Sequence, residues 1–303
     1  MATVEAPPID TVARGDRVSE NAARCQPGEG REGKQMSVQN CLVLTLSTAM
    51  MAGLMGDGLH NAAQPAPADR QALAPTGRLR VGVYPGSPTS MIRDESSGEA
   101  KGLTFDLGKE FARRLNVPFE PVEFRQIADV LDAMKQGRVD FTVTNASPAR
   151  AQLIDFTAPI LGVELGYLVP PRSSISTFAD IDRPGIRVGV TEGGSSHSTL
   201  SRELKHATVV PSPSLKIAVE MLASGRVDAY ATNKAILFEM SDQSPGSRVL
   251  DGRWGIEVFA IGIPKGRDLA LPTVRKFAED AQSEGLVKRA AERAGLRGTT
   301  DVK

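Results

Sequence analysis

Residues 134–145 read MKQGRVDFTVTN, and residues 222–233 read LASGRVDAYATN. Six positions are identical: Gly137/Gly225, Arg138/Arg226, Val139/Val227, Asp140/Asp228, Thr144/Thr232 and Asn145/Asn233. A second echo precedes each block, LRVGV at 79–83 and IRVGV at 186–190. Each half therefore opens on an Arg-Val-Gly-Val strand and later runs helix, Gly-Arg-Val-Asp, strand, Thr-Asn. Two copies of one α/β unit are too few to stack as a solenoid. The simplest use of two similar lobes is a cleft between them.

Outward from the repeat, strand and helix signals alternate from Arg78 onward, the pattern of an α/β fold. Leu103, Leu107, Phe111 and Leu115 recur every four residues and predict one face of a helix. Phe119–Phe124 reads as a strand. Ile127, Leu131 and Met134 mark a second helix, which Gly137 stops at a position where positive φ is cheap. Ser147 and Pro148 read as an N-cap and first-turn proline. Val163–Val169 predicts a strand crossing to the second unit, with a surface segment at Ser174–Asp182. That unit runs strand 186–190, helix 195–206, strand 208–210, helix 214–224, strand 227–231 and helix 234–241. Glu257–Ile263 alternates and predicts the strand that returns. Ala270, Val274, Phe277 and Ala281 stripe a closing helix, followed by Leu286–Ala294. One lobe is then discontinuous, 76–165 plus 260–303, with 170–255 as the second lobe, and two crossing strands form a hinge.

The 303 residues carry zero formal net charge, with both signs interspersed, so nothing recruits a polyanion such as nucleic acid. Cys25 and Cys41 are the only cysteines and both precede the folded region, which excludes thiol chemistry there. His60, His197 and His206 have no ligand-like spacing, so neither a metal nor a cofactor is expected. Cys41–Met55 is a 15-residue apolar run followed by NAAQPAPA. It is short of the about 20 residues that span a bilayer and has the form of a signal-peptide core. We therefore expect residues 1–68 to be an unstructured leader with a signal-like segment at 36–68, cleaved after Ala63, Ala66 or Ala68. Lys34 and Arg31 supply its positive end only if translation begins at Met1. The expected product is secreted, not membrane-spanning and monomeric.

Several of these segments together resemble family 3 periplasmic solute-binding proteins, the amino-acid-type receptors of ABC importers. They are Gly102–Leu107 (GLTFDL), Gly137–Asp140, Ser147–Arg150, Asp155–Pro159 (DFTAP), Val188–Val190 with Gly193–Ser195, and Gly225–Ala229. The resemblance covers nearly all of 78–297 in the family's order. It implies an α/β, two-lobed periplasmic-binding-protein-like fold (type II), with the ligand cleft between lobes joined by two crossing strands. It also implies a small-molecule carboxylate ligand and an ABC transporter permease as partners.

Arg150 stands where the family's Thr-Pro-Glu-Arg motif carries the arginine that takes the ligand's α-carboxylate. A guanidinium fork suits that task, because charge-assisted bonds are worth about 1.5–3 kcal/mol each. On residues alone, Arg150 could equally pair with Asp155. The turn at Gly193, Gly194, Ser195 and Ser196 opens a helix and leaves free N–H groups, a small anion site; in the family, the matching run touches the same carboxylate. No Gly-Lys-Ser/Thr follows it, so it is not a Walker loop. Thr144, Asn145 and Asn233 sit at C-terminal strand ends, where open α/β sheets bind ligands.

The sequence departs from the family in four places, the first being Gly194 and Ser195, where the family usually has two hydroxyl residues, so that one donor is lost. Asn233 replaces the aspartate that commonly holds the ligand's ammonium, so a plain carboxylic acid becomes a contender; the Asn carbonyl could still accept from an ammonium. Glu192 or Glu164 could restore the charge. The stretch from Asp140 to Arg150 is shorter than the family's, leaving the alignment of Thr144 and Asn145 open. The first loop, Pro85–Ser90, lacks an aromatic platform beyond Tyr84. Ser147 completes the candidate ligand set; Trp254 and Phe259 read as core. The expectation is a non-catalytic receptor. The alternatives are a cyclohexadienyl dehydratase-like enzyme, for which neither His197 nor Glu192 has an orienting partner, and a sensory domain, which the end of the chain at Lys303 argues against.

Overall fold

The two echoed motifs grip each other. In the computed structural model, which describes residues 66–94 and 96–302, Arg80 of the strand Leu79–Val83 docks on Asp140 of the first Gly-Arg-Val-Asp block. Its backbone N–H and Nε donate to Oδ2 at 3.0 and 2.8 Å, and Nη2 reaches Oδ1 at 2.8 Å and the Gly137 carbonyl at 2.7 Å. In the second half, Arg187 repeats every contact: N–H and Nε to Asp228 at 2.8 and 2.9 Å, Nη2 to Asp228 at 2.8 Å and to Gly225 O at 2.7 Å. Bidentate fork-to-carboxylate geometry explains why both members recur. Gly137 and Gly225 sit at φ 65 and 68, the left-handed exit each helix needs before its carbonyl can face the arginine. In the first half Arg267 adds a third cationic bond to Asp140, at 2.7 Å.

The helix Leu103–Leu115 buries Leu103, Leu107, Phe111 and Leu115, as the spacing requires, and ends on a left-handed Asn116. It packs on Leu79–Val83, which pairs in parallel with Phe119–Glu123. A longer sheet runs through both halves: Thr142–Asn145, Gly255–Pro264, Leu161–Val169, Ala229–Asn233, Arg187–Thr191, Thr208–Ser212. Gly255–Pro264 and Leu161–Val169 are the antiparallel strands that carry the chain between the two groups of elements. The first pairs outward with Thr142–Asn145, and the second with Ala229–Asn233. Phe259 and Ile261 join the core of the first half, whereas Tyr167 and Val169 join that of the second, with Trp254 packed against it. The fold is two-lobed α/β with a continuous spine.

Several details differ from the sequence reading: the strand expected at 227–231 runs Ala229–Asn233, and that expected at 208–210 runs Thr208–Ser212. A helix at Pro67–Leu73, unassigned from sequence, buries Leu73 in the first core. The helix expected at 195–206 spans Ser195–Glu203, because Asp182 accepts the N–H groups of Lys205, His206 and Ala207 and draws the chain straight into Thr208–Ser212. The return strand begins two residues earlier than Glu257. Of the expected leader, 1–68, residues 1–65 lie outside the described residues, while Pro67 and Ala68 open the helix Pro67–Leu73, so helix begins inside the stretch expected to be unstructured. Among the described residues, no helix is long and apolar enough to cross a membrane.

Candidate functional site

Arg150 lies in the four-residue helix Pro148–Ala151, which Ser147 caps by accepting the Arg150 N–H at 3.4 Å. That turn directs the side chain inward, where it is 8% exposed and donates from Nη1 to Thr144 Oγ1 at 2.6 Å. Asp155, its possible partner on sequence grounds, pairs with Lys265 at 2.7 Å instead. No carboxylate among the described residues forms an ion pair with Arg150. Burial pulls its guanidinium below the ordinary value, and Glu257 and Tyr84 counter this in part. A guanidinium has five N–H donors, and one is spent on the protein.

The unspent donors border a cavity of about 40 Å³, room for a few waters. The first half contributes Tyr84, Gln126, Thr144 and Arg150. The second contributes Gly194, Ser195, Ser196 and Asn233, and the returning strand contributes Glu257 and Phe259. The arginine and the amide turn, expected to converge, therefore share one gap. Tyr84 is fixed by the loop after the first strand, where its N–H donates to Ser90 Oγ at 2.8 Å. Its phenol is pushed up from its usual value, chiefly by burial. Ser147 does not line the cavity and serves as a cap. Glu192 is exposed and outside the lining, and Glu164 is engaged by Lys234 at 2.8 Å and Arg253 at 2.7 Å. Neither restores the charge missing at Asn233.

Glu257 does. Its carboxylate is 6% exposed in the cavity wall and was not singled out from sequence. Oε1 accepts from Asn145 Nδ2 at 3.2 Å and from the Ser195 hydroxyl, and Oε2 accepts from Asn233 Nδ2 at 3.2 Å. Asn145 thus reaches the site through Glu257. Asn233 is held in one orientation, since its Oδ1 accepts the Ile236 N–H at 3.2 Å and caps the helix Lys234–Asp242. With one lone pair of the oxygen committed to the cap, the amide turns its N–H toward Glu257. One signal could have revealed Glu257: it falls in the same alternate register as Phe259, Ile261 and Ile263, the core-facing side of the strand.

Gln126 is the other residue missed. It precedes the helix Ile127–Lys135, is 8% exposed, and its Oε1 has no partner. Among the described residues no group of His, Cys, Asp and Glu is arranged to hold a metal ion.

Residues 79–295 match the model for bacterial extracellular solute-binding proteins, family 3. The ABC transporter glutamine-binding protein GlnH of Bacillus subtilis is 21% identical over 71% of this chain and 80% of its own length. The amino-acid-binding protein AabA of Dichelobacter nodosus is 26% identical, covering 62% of this chain and 74% of its own. Among solved structures, the solute receptor for L-cysteine of Neisseria gonorrhoeae superposes with a TM-score of 0.67 at 23% identity, over 74% of this chain and 92% of that one.

Proposed function

Because the chain belongs to the bacterial extracellular solute-binding proteins of family 3, we propose that it is a secreted receptor of an ABC importer. Two lobes, 76–165 with 260–303 and 170–255, hinge on the crossing strands and close on a small carboxylate-bearing metabolite. The permease then distinguishes the closed form from the open one. The specificities by which the relatives are named, glutamine in one and amino acids in another, support an amino acid or a related acid as the ligand.

The observation that carries this reading is Arg150, a buried guanidinium with a single protein bond, facing a cavity across from the start of the helix Ser195–Glu203. A buried cation without a partner is costly, and a ligand carboxylate supplies the partner. The cavity is too tight for a metabolite as it stands, so uptake proceeds by parting the lobes. The test is calorimetry on Arg150→Ala. A fold preserved by circular dichroism with binding reduced by more than about a hundredfold is expected, as for a lost bidentate charge pair. Unchanged affinity would remove Arg150 from the site.

A second reading gains one observation. Glu257 places a carboxylate beside Arg150, the pair that an elimination enzyme on this scaffold would need. Three side-chain donors already converge on that carboxylate. The receptor reading predicts that bound ligands return chemically unchanged by NMR.

A further inference from the structure

Two opposite charges line one small cavity without touching. Arg150 is held back by Thr144, and Glu257 by Asn145, Ser195 and Asn233. Among the described residues, neither forms an ion pair with any group. Buried opposite charges on flexible side chains ordinarily collapse onto each other, because each alone is expensive to desolvate. Here neutral hydrogen bonds on both sides keep them apart. Such a site is preorganised for a molecule that carries both charges itself.

The alternatives leave a charge bare. A plain carboxylate would satisfy Arg150 but bring a second anion up to Glu257, and like charges at close range in a low-dielectric site repel strongly. A plain amine would satisfy Glu257 and abandon Arg150. Only a molecule bearing both an anionic and a cationic group neutralises both. The carboxylate of Glu257 also has capacity to spare: its two oxygens offer about four acceptor positions, and three side-chain donors occupy the described set.

We propose that Glu257 is the acid that binds a ligand ammonium group in this receptor, so that the metabolite is a zwitterion such as an α-amino acid rather than a simple organic acid. This rests on the receptor reading and narrows it. It places the recognition charge on the strand Gly255–Pro264, which joins the two halves, instead of on the strand end at 233, where the neutral amide now orients that charge. Asn145 comes from one half and Ser195 and Asn233 from the other, so Glu257 is also the point at which both halves feel the ligand.

The experiment is a binding panel of the standard L-amino acids, each beside its desamino acid, on the full chain and on Glu257→Gln. The wild type is expected to bind at least one amino acid on the order of tenfold or more better than its desamino partner, the ratio that one charged hydrogen bond gives. In Glu257→Gln that ratio should fall to near unity, with the desamino acid bound as well as before or better. A wild type that binds both partners equally overturns the proposal, whatever the variant does, while leaving Arg150 in its role. A folded Glu257→Gln that keeps the preference overturns it too. If Glu257→Gln fails to fold, Glu257→Asp, which keeps the charge but shortens its reach, should weaken amino-acid binding and spare the desamino acid. If no carboxylate on the panel binds the wild type, the receptor reading itself falls, and this inference with it.

Discussion

Gln126 lines the cavity with a primary amide whose Oε1 is buried and unpartnered. An acceptor left unmet when buried costs about 1–3 kcal/mol, and in this cavity a water or a ligand donor would meet it. Gln126→Leu is close in volume and removes the amide. The expected outcome is a ligand affinity several-fold weaker, read by titration. Undiminished affinity would place Gln126 outside recognition. Legibility at this scale followed motif. Arg150 and Asn233 stood out because they fall in recognisable runs, although the use of Asn233 did not, since a cap three residues on decides which end of its amide faces the site. Glu257 was hidden within a run that reads as apolar. Only its register, shared with Phe259, marks it as facing inward.

At the scale of elements, the repeat was visible but its reason was not. Sequence alone shows Arg80 with Asp140 and Arg187 with Asp228 as separate echoes, 60 and 41 residues apart; the fold shows that each pair is one contact. Helix ends were legible where glycine takes positive φ, at Gly137 and Gly225. They were illegible where a distant side chain ends the helix. Asp182 is such a case, accepting three successive N–H groups at 2.7–3.0 Å just before Thr208–Ser212. These bonds hold its carboxyl down at about 2, from an ordinary 3.8. A carboxyl depressed in the folded state stabilises above its unfolded value and loses that contribution as the pH falls through the folded one. Asp182→Asn should therefore melt below the wild type at neutral pH, with the gap closing as the pH approaches about 2. A gap of constant size down to that pH would show that the charge is immaterial.

Over the whole molecule, the two-lobed plan with two crossing strands was legible, because alternation and internal repetition both survive in a single sequence. The closeness of the halves was not, since it depends on which small residues meet across the seam. A Cβ added at Gly193 would lie 2.9 Å from Ala128 Cβ, and one at Gly86 would lie 3.4 Å from Leu215 Cβ. Ala128 is half-buried on the opposing helix, so bulk there is carried without disturbing a core. Ala128→Phe should wedge the seam and favour the open form. The expected result is affinity weaker by about tenfold or more, since ligand binding must then supply the closing energy. By X-ray scattering, the radius of gyration should stay at the ligand-free value when ligand is added. Wild-type affinity and normal compaction would place the contact outside closure.

The paired arginine and aspartate, found once in each half, have a mechanical corollary. Each clasp fastens a strand to the exit of a helix within its own half. Neither clasp crosses the gap. On the closure proposed above, swinging the halves apart would leave both clasps shut, so each half would travel as a stiff board on a cloth spine.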